Sequence, residues 1–568
     1  MKKIASLFLS FALLLNMSGC GTAHVSNTAN PEFTEFLEDF VVELCENDYT
    51  TMHRYFERPE KYGVDPAKAE ITLGNFENEE DESNIDRRFN EFEIDTLDAS
   101  QQNIYNHLLF DAEYSDEDFD YLESIWGSTS GIHQVLVQFF GEYELYKEAD
   151  IAPLLKLIHD VPRFTKDALK YSKKQAKAGT LMLDYDGVME DCQNVLDSKM
   201  DSAITSHLFE ELDRLQLEDA DTYKQEIQTA LEDDFFPSYQ TMMDGLESLK
   251  SDIQPLQGIS HFKNGRKYYR SLVHDATGSD DTIRQIKRNL NKDIDEKFEQ
   301  MANLMMEDED VLEQMHILET PFQSIDELLV FLENSYASEF PEIDAIDYET
   351  IPLAQEQSQP GIMAYFLLPA IDFSNPYRIR YNEIDHGNDP SSLMLYITLA
   401  HEGLPGHMYQ FEYNHEHFKY PIQYFLNNLG FTEGYATYVE MECLNFLDLE
   451  DSVKQAYILN TTISNNYIAL MDISIHYDGL SYSQFQEQYE DVFGSNLRDL
   501  YDQLADNPAS FLSYYYGYYQ IQELKEKAQD ALQEDFDVKE FHEALLQSGS
   551  VPFDQVEKNI DSYIQKKR

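Results

Sequence analysis

The sequence predicts a mainly α-helical fold with a small β-sheet, and three observations carry that expectation. Apolar residues recur at spacings of three and four, with acidic residues between them, from Phe33 to Glu46 and in many later segments. Strand-like runs are few, the clearest being Ala364-Tyr365-Phe366-Leu367-Leu368 and Tyr377-Arg378-Ile379-Arg380-Tyr381, set off by Pro369, Asn375 and Pro376. Glu77 to Asp86 and Ala276 to Ser279 read as loops too short to divide the chain, and no internal repeat is visible. The expectation is one large helical unit over residues 31–568. A bilobed form around a cleft, or a division into two or three domains, is also within its length.

The N-terminus comes first in the chain and sets the compartment. Lys2 and Lys3 form a positive region, and Ile4 to Leu15 form an apolar one too short to span a bilayer. Met17-Ser18-Gly19-Cys20 then closes the segment in the manner of a lipobox, although Met17 stands where a branched aliphatic residue is usual. Residues 1–19 are therefore read as a signal peptide, Cys20 as the lipidated mature N-terminus, and 20–30 as a polar tether. The plainer alternative is an ordinary secretory signal that contains a cysteine. Both export the chain, and the lipid is then its only membrane anchor, because no later stretch approaches 18 uninterrupted apolar residues.

Cys45, Cys192 and Cys443 are far apart and lack the paired spacing of a thiolate zinc site, so at most one disulfide is expected. With 107 acidic against 41 basic residues the formal charge is −66, which repels phosphate backbones and excludes nucleic acid as a partner. The acidity itself reads as a solvated surface.

The segment that carries chemistry runs from Asp389 to His407. Asp389 can cap a helix starting at Pro390, and the apolar run that follows ends on His401-Glu402. An imidazole and a carboxylate at the end of an apolar, buried helix are costly to desolvate and need a partner such as a cation. The next histidine, His407, stands six residues on. On a regular helix that is about 240° of rotation, so the two rings would point apart. Pro405 cannot continue the helix, and Leu404-Pro405-Gly406-His407 fits a type II turn that would bring His407 back. Two imidazoles need a third ligand, and Glu433, after Thr432 as a helix cap, is the candidate. Taken alone, Glu433 reads as a favourable acid at a helix start. Glu440, two turns later on the same face, could orient a ligand histidine.

These residues resemble a widespread bacterial group named only as a domain of unknown function and grouped with the zincin metallopeptidases. Its hallmark is His-Glu-Gly-x-Pro-Gly-His followed by Glu-Gly-x-Ala. The likeness extends to Gly265-Arg266-Lys267-Tyr268-Tyr269, the strand from Tyr377 to Asn382, Tyr514-Tyr515-Tyr516-Gly517, and the run from Phe541 to Gly549. Met408 departs from it, because many members have a histidine there. The resemblance implies a helical fold like thimet oligopeptidase or angiotensin-converting enzyme, with the small sheet beside the active-site helix. It also implies His401, His407 and Glu433 as ligands of Zn2+ and Glu402 as general base.

Within that frame the expected function is a zinc-dependent hydrolase cleaving peptides outside the cytoplasm, with a tyrosine meeting the oxyanion. Tyr514 and Tyr518, four apart, are the candidates, in a chain whose 38 tyrosines are mostly expected in its core. His542 reads as a packed helix histidine, and His415 and His417 as exposed. A non-catalytic lipoprotein of the same fold, and a zinc hydrolase of another amide, are the alternatives. A pure binder has no need of a general base beside the metal, which favours catalysis.

Overall fold

The structure is a computed structural model that describes residues 28–76, 88–114, 119, 121–353, 363–382 and 389–568. The signal segment, Cys20 and the loop expected from Glu77 to Asp86 lie outside the described residues. The first helix, α1 (Pro31–Asn47), starts where sequence places it, because Asn30 accepts from the amides of Glu32 and Phe33 and Pro31 has no amide to satisfy. Phe33, Phe36, Phe40 and Leu44 line its inward face, each burial contributing about 1.5–3 kcal/mol. They join the largest core cluster, which runs to Leu249 and also takes in Ile371 and Phe425. Through it passes the long helix α2 (Ile151–Ala178), stopped by Gly179 at φ 75°.

The C-terminal half is built from α3 (Gly265–Thr277), α4 (Ile283–Glu307), α5 (Leu393–Glu402), α6 (His407–His417), α7 (Leu429–Glu442), α8 (Asp451–Ile473), α9 (Ser510–Leu532) and α10 (Val538–Leu546). Among the described residues there is one three-stranded sheet, β1 (Tyr348–Pro352), β2 (Ala364–Leu367) and β3 (Tyr377–Tyr381), in the order β1-β3-β2. β1 runs parallel to β3, with Tyr348 opposite Tyr377, and β2 runs antiparallel, with Phe366 opposite Ile379. Both expected strands are present, and β1 is an addition. The expected loop at Ala276 is two residues shorter, since α3 continues to Thr277 and closes on Gly278 at φ 61°.

Arginines on β3 fasten the sheet to the N-terminal half. Arg380 pairs with Glu142 at 2.8 Å, both nearly buried, and Arg378 pairs with Glu144. Cys45, Cys192 and Cys443 are buried free thiols, so the one disulfide the sequence allowed is not formed. No described helix is long and apolar enough to cross a membrane.

Candidate metal centre

Two helices meet end to end at the site. α5 starts three residues later than expected: Ser392 is the cap, accepting from the Leu395 amide, while Asp389 bonds the amide and hydroxyl of Ser391 one step earlier. Leu395, Tyr396 and Leu399 are fully buried, but Met394 is half exposed, so α5 is not apolar-packed on every side. α5 ends at Glu402, as Pro405 requires, and α6 begins at His407.

The link between them is not the type II turn the sequence fits. Gly406 has φ −84° and ψ −130°, with no positive φ, and the Leu404–Pro405 peptide is cis. The glycine is needed for closeness instead. A Cβ on Gly406 would stand 1.8 Å from the carbonyl oxygen of His401 and 2.4 Å from that of Ala400. The cap of α6 thus lies directly on the last turn of α5, and the Tyr435 hydroxyl donates to the Pro405 carbonyl at 2.9 Å to hold the link. The six-residue spacing works through this break: the rings of His401 and His407 lie 4.7 Å apart at 88°.

α7 completes the cluster. Its cap is Asn428, which accepts from the Phe431 amide, so Thr432 is not the cap and Glu433 lies in the second turn rather than the first. Thr432 bonds Asn427 instead. Glu433 Oε2 stands 3.6 Å from His401 Nε2 and 3.4 Å from His407 Nε2. A tetrahedral ion with bonds of about 2.1 Å separates its ligands by about 3.4 Å. That oxygen is buried and makes no hydrogen bond. An orphaned carboxylate oxygen between two imidazoles is what a cation between them would satisfy.

The other carboxylates divide the work by what already holds them. Glu440 Oε1 lies 2.7 Å from His401 Nδ1. A carboxylate only accepts, so Nδ1 carries a proton, and Nε2 is the nitrogen that faces the cluster and would bind a cation in exchange for its own proton. Glu402 also approaches, 3.8 Å from His401 Nε2, but its Oε2 accepts the Phe366 amide of edge strand β2 at 2.8 Å. Glu402 is thus positioned by the strand, and Glu433 is the carboxylate with an oxygen still free.

The electrostatics follow. Burial opposes charge on His401, yet Glu433, Glu440 and Glu402 outweigh it and hold its pKa well above the usual imidazole value. Burial also works against the Glu433 carboxylate, but the two histidines keep it well below the ordinary carboxylate range. Glu402 goes the other way: burial raises its pKa, and the histidines and the Phe366 amide only partly offset that. Two imidazoles and a carboxylate are a donor set that fits zinc better than the all-oxygen sites of calcium or magnesium.

Across the cluster, the Tyr514 ring stacks on His401 at 6.1 Å, and burial, then Glu433 and Glu402, push its hydroxyl well above the usual phenol value. Tyr518 is not brought to the site. Its hydroxyl meets Thr462 at 3.4 Å and accepts from Gln522 at 3.1 Å, inside the core beside α8. His542 is buried and bonded to the Glu339 carbonyl and Tyr438, while His415 and His417 are exposed. The remaining shared motifs are scaffolding: Tyr269 donates to buried Asp472, and Tyr516 to Asp281. Sequence reading missed the Phe366 amide and the Tyr435 hydroxyl. The first is backbone and leaves no residue signal, and the second is one tyrosine among many.

Fold and site together define a large helical protein with a partly buried cluster of His401, Glu402, His407 and Glu433 at a helix break. The chain belongs to a family of bacterial proteins of unknown function, DUF885, whose profile matches residues 67–560. No curated protein matches it. Among solved structures it is similar to a candidate lipoprotein from Colwellia psychrerythraea, with TM-score 0.77 and 16% identity over 94% of this chain and 99% of that one. It is also similar to a candidate lipoprotein of unknown function from Shewanella oneidensis, with TM-score 0.55 and 17% identity over 84% of this chain and 90% of that one. These likenesses define the fold.

Proposed function

We propose that the protein is a zinc-dependent hydrolase of the zincin kind, a peptidase acting on peptides outside the cytoplasm and held at the membrane by a lipid on Cys20. The observation that carries this reading is the orphaned Glu433 oxygen between His401 and His407, with Glu402 fixed beside it by a strand. His401, His407 and Glu433 would hold the metal. Bound there, zinc supplies Lewis acidity and an acidified water. Glu402, its pKa raised by burial, takes a proton from the attacking water and later returns it to the leaving amine. Glu440 keeps His401 in the ligating tautomer. Tyr514, its proton firmly held, donates to the oxygen on which charge develops. β2, an edge strand among the described residues that already offers an amide to Glu402, would give an extended peptide a place to align. The lipid anchor is supported by the Met17 to Cys20 segment and by the description of both structural neighbours as candidate lipoproteins.

Elemental analysis of protein purified without chelator tests the metal: His401→Ala and Glu433→Ala should each lose zinc that the wild type keeps. Failure of the wild type to hold or rebind any transition metal rejects the reading. A peptide-library digest then tests the bond. Fatty-acid labelling should mark the wild type and not Cys20→Ser.

A further inference from the structure

We infer that a second divalent transition metal, zinc foremost, binds at Glu113, His274 and Asp280, at the end of α3 remote in sequence from the cluster above. His274 lies in the last turn of α3 and is 6% exposed. Its Nε2 is buried and makes no hydrogen bond. That nitrogen points at two carboxylates, Glu113 Oε2 at 3.1 Å and Asp280 Oδ1 at 3.6 Å. The three donor atoms lie within 4.8 Å of one another. The separations bracket the roughly 3.4 Å between ligands of a tetrahedral ion.

Acidic groups near a histidine are ordinary in a chain of charge −66, and Glu113 and Asp280 are largely exposed. The buried nitrogen is what separates this cluster from a surface ion pair. Asp275 Oδ1 sits 3.2 Å from Nδ1 of the same ring, where it can accept from the tautomer that keeps its proton on Nδ1 and turns the Nε2 lone pair to a cation among the carboxylates. Phe110 stacks on the ring at 3.8 Å and fixes its plane. The Nδ1 carboxylate repeats what Glu440 does for His401. The α3 C-terminus also favours positive charge. One imidazole with two carboxylates suits a transition metal better than calcium, and leaves room for water as a fourth ligand.

The placement gives such an ion a purpose. Glu113 follows a helix of the N-terminal half, Ala99–Asp111, and His274 and Asp280 flank the end of α3. That end touches α7: a Cβ on Gly430 would stand 2.3 Å from the Thr277 carbonyl oxygen. The ion would clamp the N-terminal half to the element on which the helix of Glu433 and Glu440 rests. This assignment does not depend on metal at His401.

The test is a zinc titration of the purified full-length protein, with bound metal counted by elemental analysis. His274→Ala should bind one equivalent fewer than the wild type, whatever the other cluster holds, and His401→Ala should keep that equivalent. Asp280→Asn alters a side chain that is 77% exposed and leaves folding intact, so it guards against a misfolded His274→Ala. It should weaken the same step at least tenfold. Equal stoichiometry in wild type and His274→Ala, or an unshifted titration in Asp280→Asn, overturns the assignment.

Discussion

At the scale of single residues, Glu402 and Glu433 are both carboxylates within reach of His401, and their hydrogen bonds set them apart. Glu402 Oε2 is already bonded to the Phe366 amide, whereas Glu433 Oε2 is buried and makes no hydrogen bond. Glu402→Gln keeps an oxygen for that amide and the packing around it but cannot take a proton. It should therefore leave folding and zinc content unchanged and lower hydrolysis by roughly 10² or more. Turnover equal to wild type in a zinc-loaded Glu402→Gln protein would remove Glu402 as base, and loss of zinc with activity would make it a ligand. Glu440→Gln probes a different link. The glutamine can present its NH2 to Nδ1 and favour the wrong tautomer, so zinc affinity should fall about 10–100-fold while Glu402 is untouched. Competition with a chromogenic chelator measures it.

At the scale of elements, the site depends on how closely α7 and α9 cross. A Cβ on Gly434 would stand 2.4 Å from the backbone carbon of Gly517, and one on Gly517 would stand 2.1 Å from the Gly430 carbonyl oxygen. The glycines of the Glu433-Gly434 and Tyr514 to Gly517 motifs are therefore a single contact, which lays Tyr514 opposite Glu433. Alanine at Gly434 gains about 1 kcal/mol of helix propensity. It also drives one rigid backbone into another, at typically 1–3 kcal/mol or more. Backbone cannot rotate away as a side chain can, so the clash wins. Gly434→Ala should lower the urea midpoint and reduce turnover beyond what lost stability explains; a more stable variant would mean the helices part freely. The same contact shows what was legible in sequence. His401, Glu402, His407 and Glu433 fall in one short stretch whose helix periods and proline stop fix which residues can meet. The helix starts at Ser392 and Asn428 were misread because Asp389 and Thr432 are equally good caps, and only packing chooses between neighbours. The Pro405-Gly406 link was misread because a glycine demanded by close approach and one demanded by positive φ look alike in sequence. β1 was missed since its faces do not alternate in burial and its partner β3 is distant along the chain. Tyr518 was placed by helical spacing from Tyr514, but a 40° offset and one turn carry it into the core.

At the scale of the whole molecule, burial holds four interior histidines neutral, and each of them shapes how stability responds to acid. Burial lowers His53 and His476 to about 4, and His107 and His542 to about 3. In the unfolded chain each would titrate near 6.5. Between about pH 6.5 and 4 the unfolded state therefore binds protons at these four positions that the folded state refuses, so stability is present above 6.5 and is lost as the pH falls. Asp472 acts oppositely, because burial raises it to about 7 and the folded state holds its proton between about 7 and 3.8. Asp111 and Glu402, raised by burial, oppose the histidines in the same way, so the histidine contribution is read by substituting one of them, each proton being worth about 1.4 kcal/mol per pH unit. Self-repulsion of the −66 surface would confuse the measurement, since acid relieves it. At about 0.5 M salt the Debye length is under about 8 Å and that contribution is largely screened. Under those conditions the test compares urea stabilities of wild type and His542→Gln between about pH 6.5 and 4.5. His542 is held at about 3 in the fold and glutamine cannot charge, so the variant should lose less stability than the wild type as the pH falls, by about one proton in the slope. Parallel stability curves for the two proteins would mean that the buried His542 does not resist protonation.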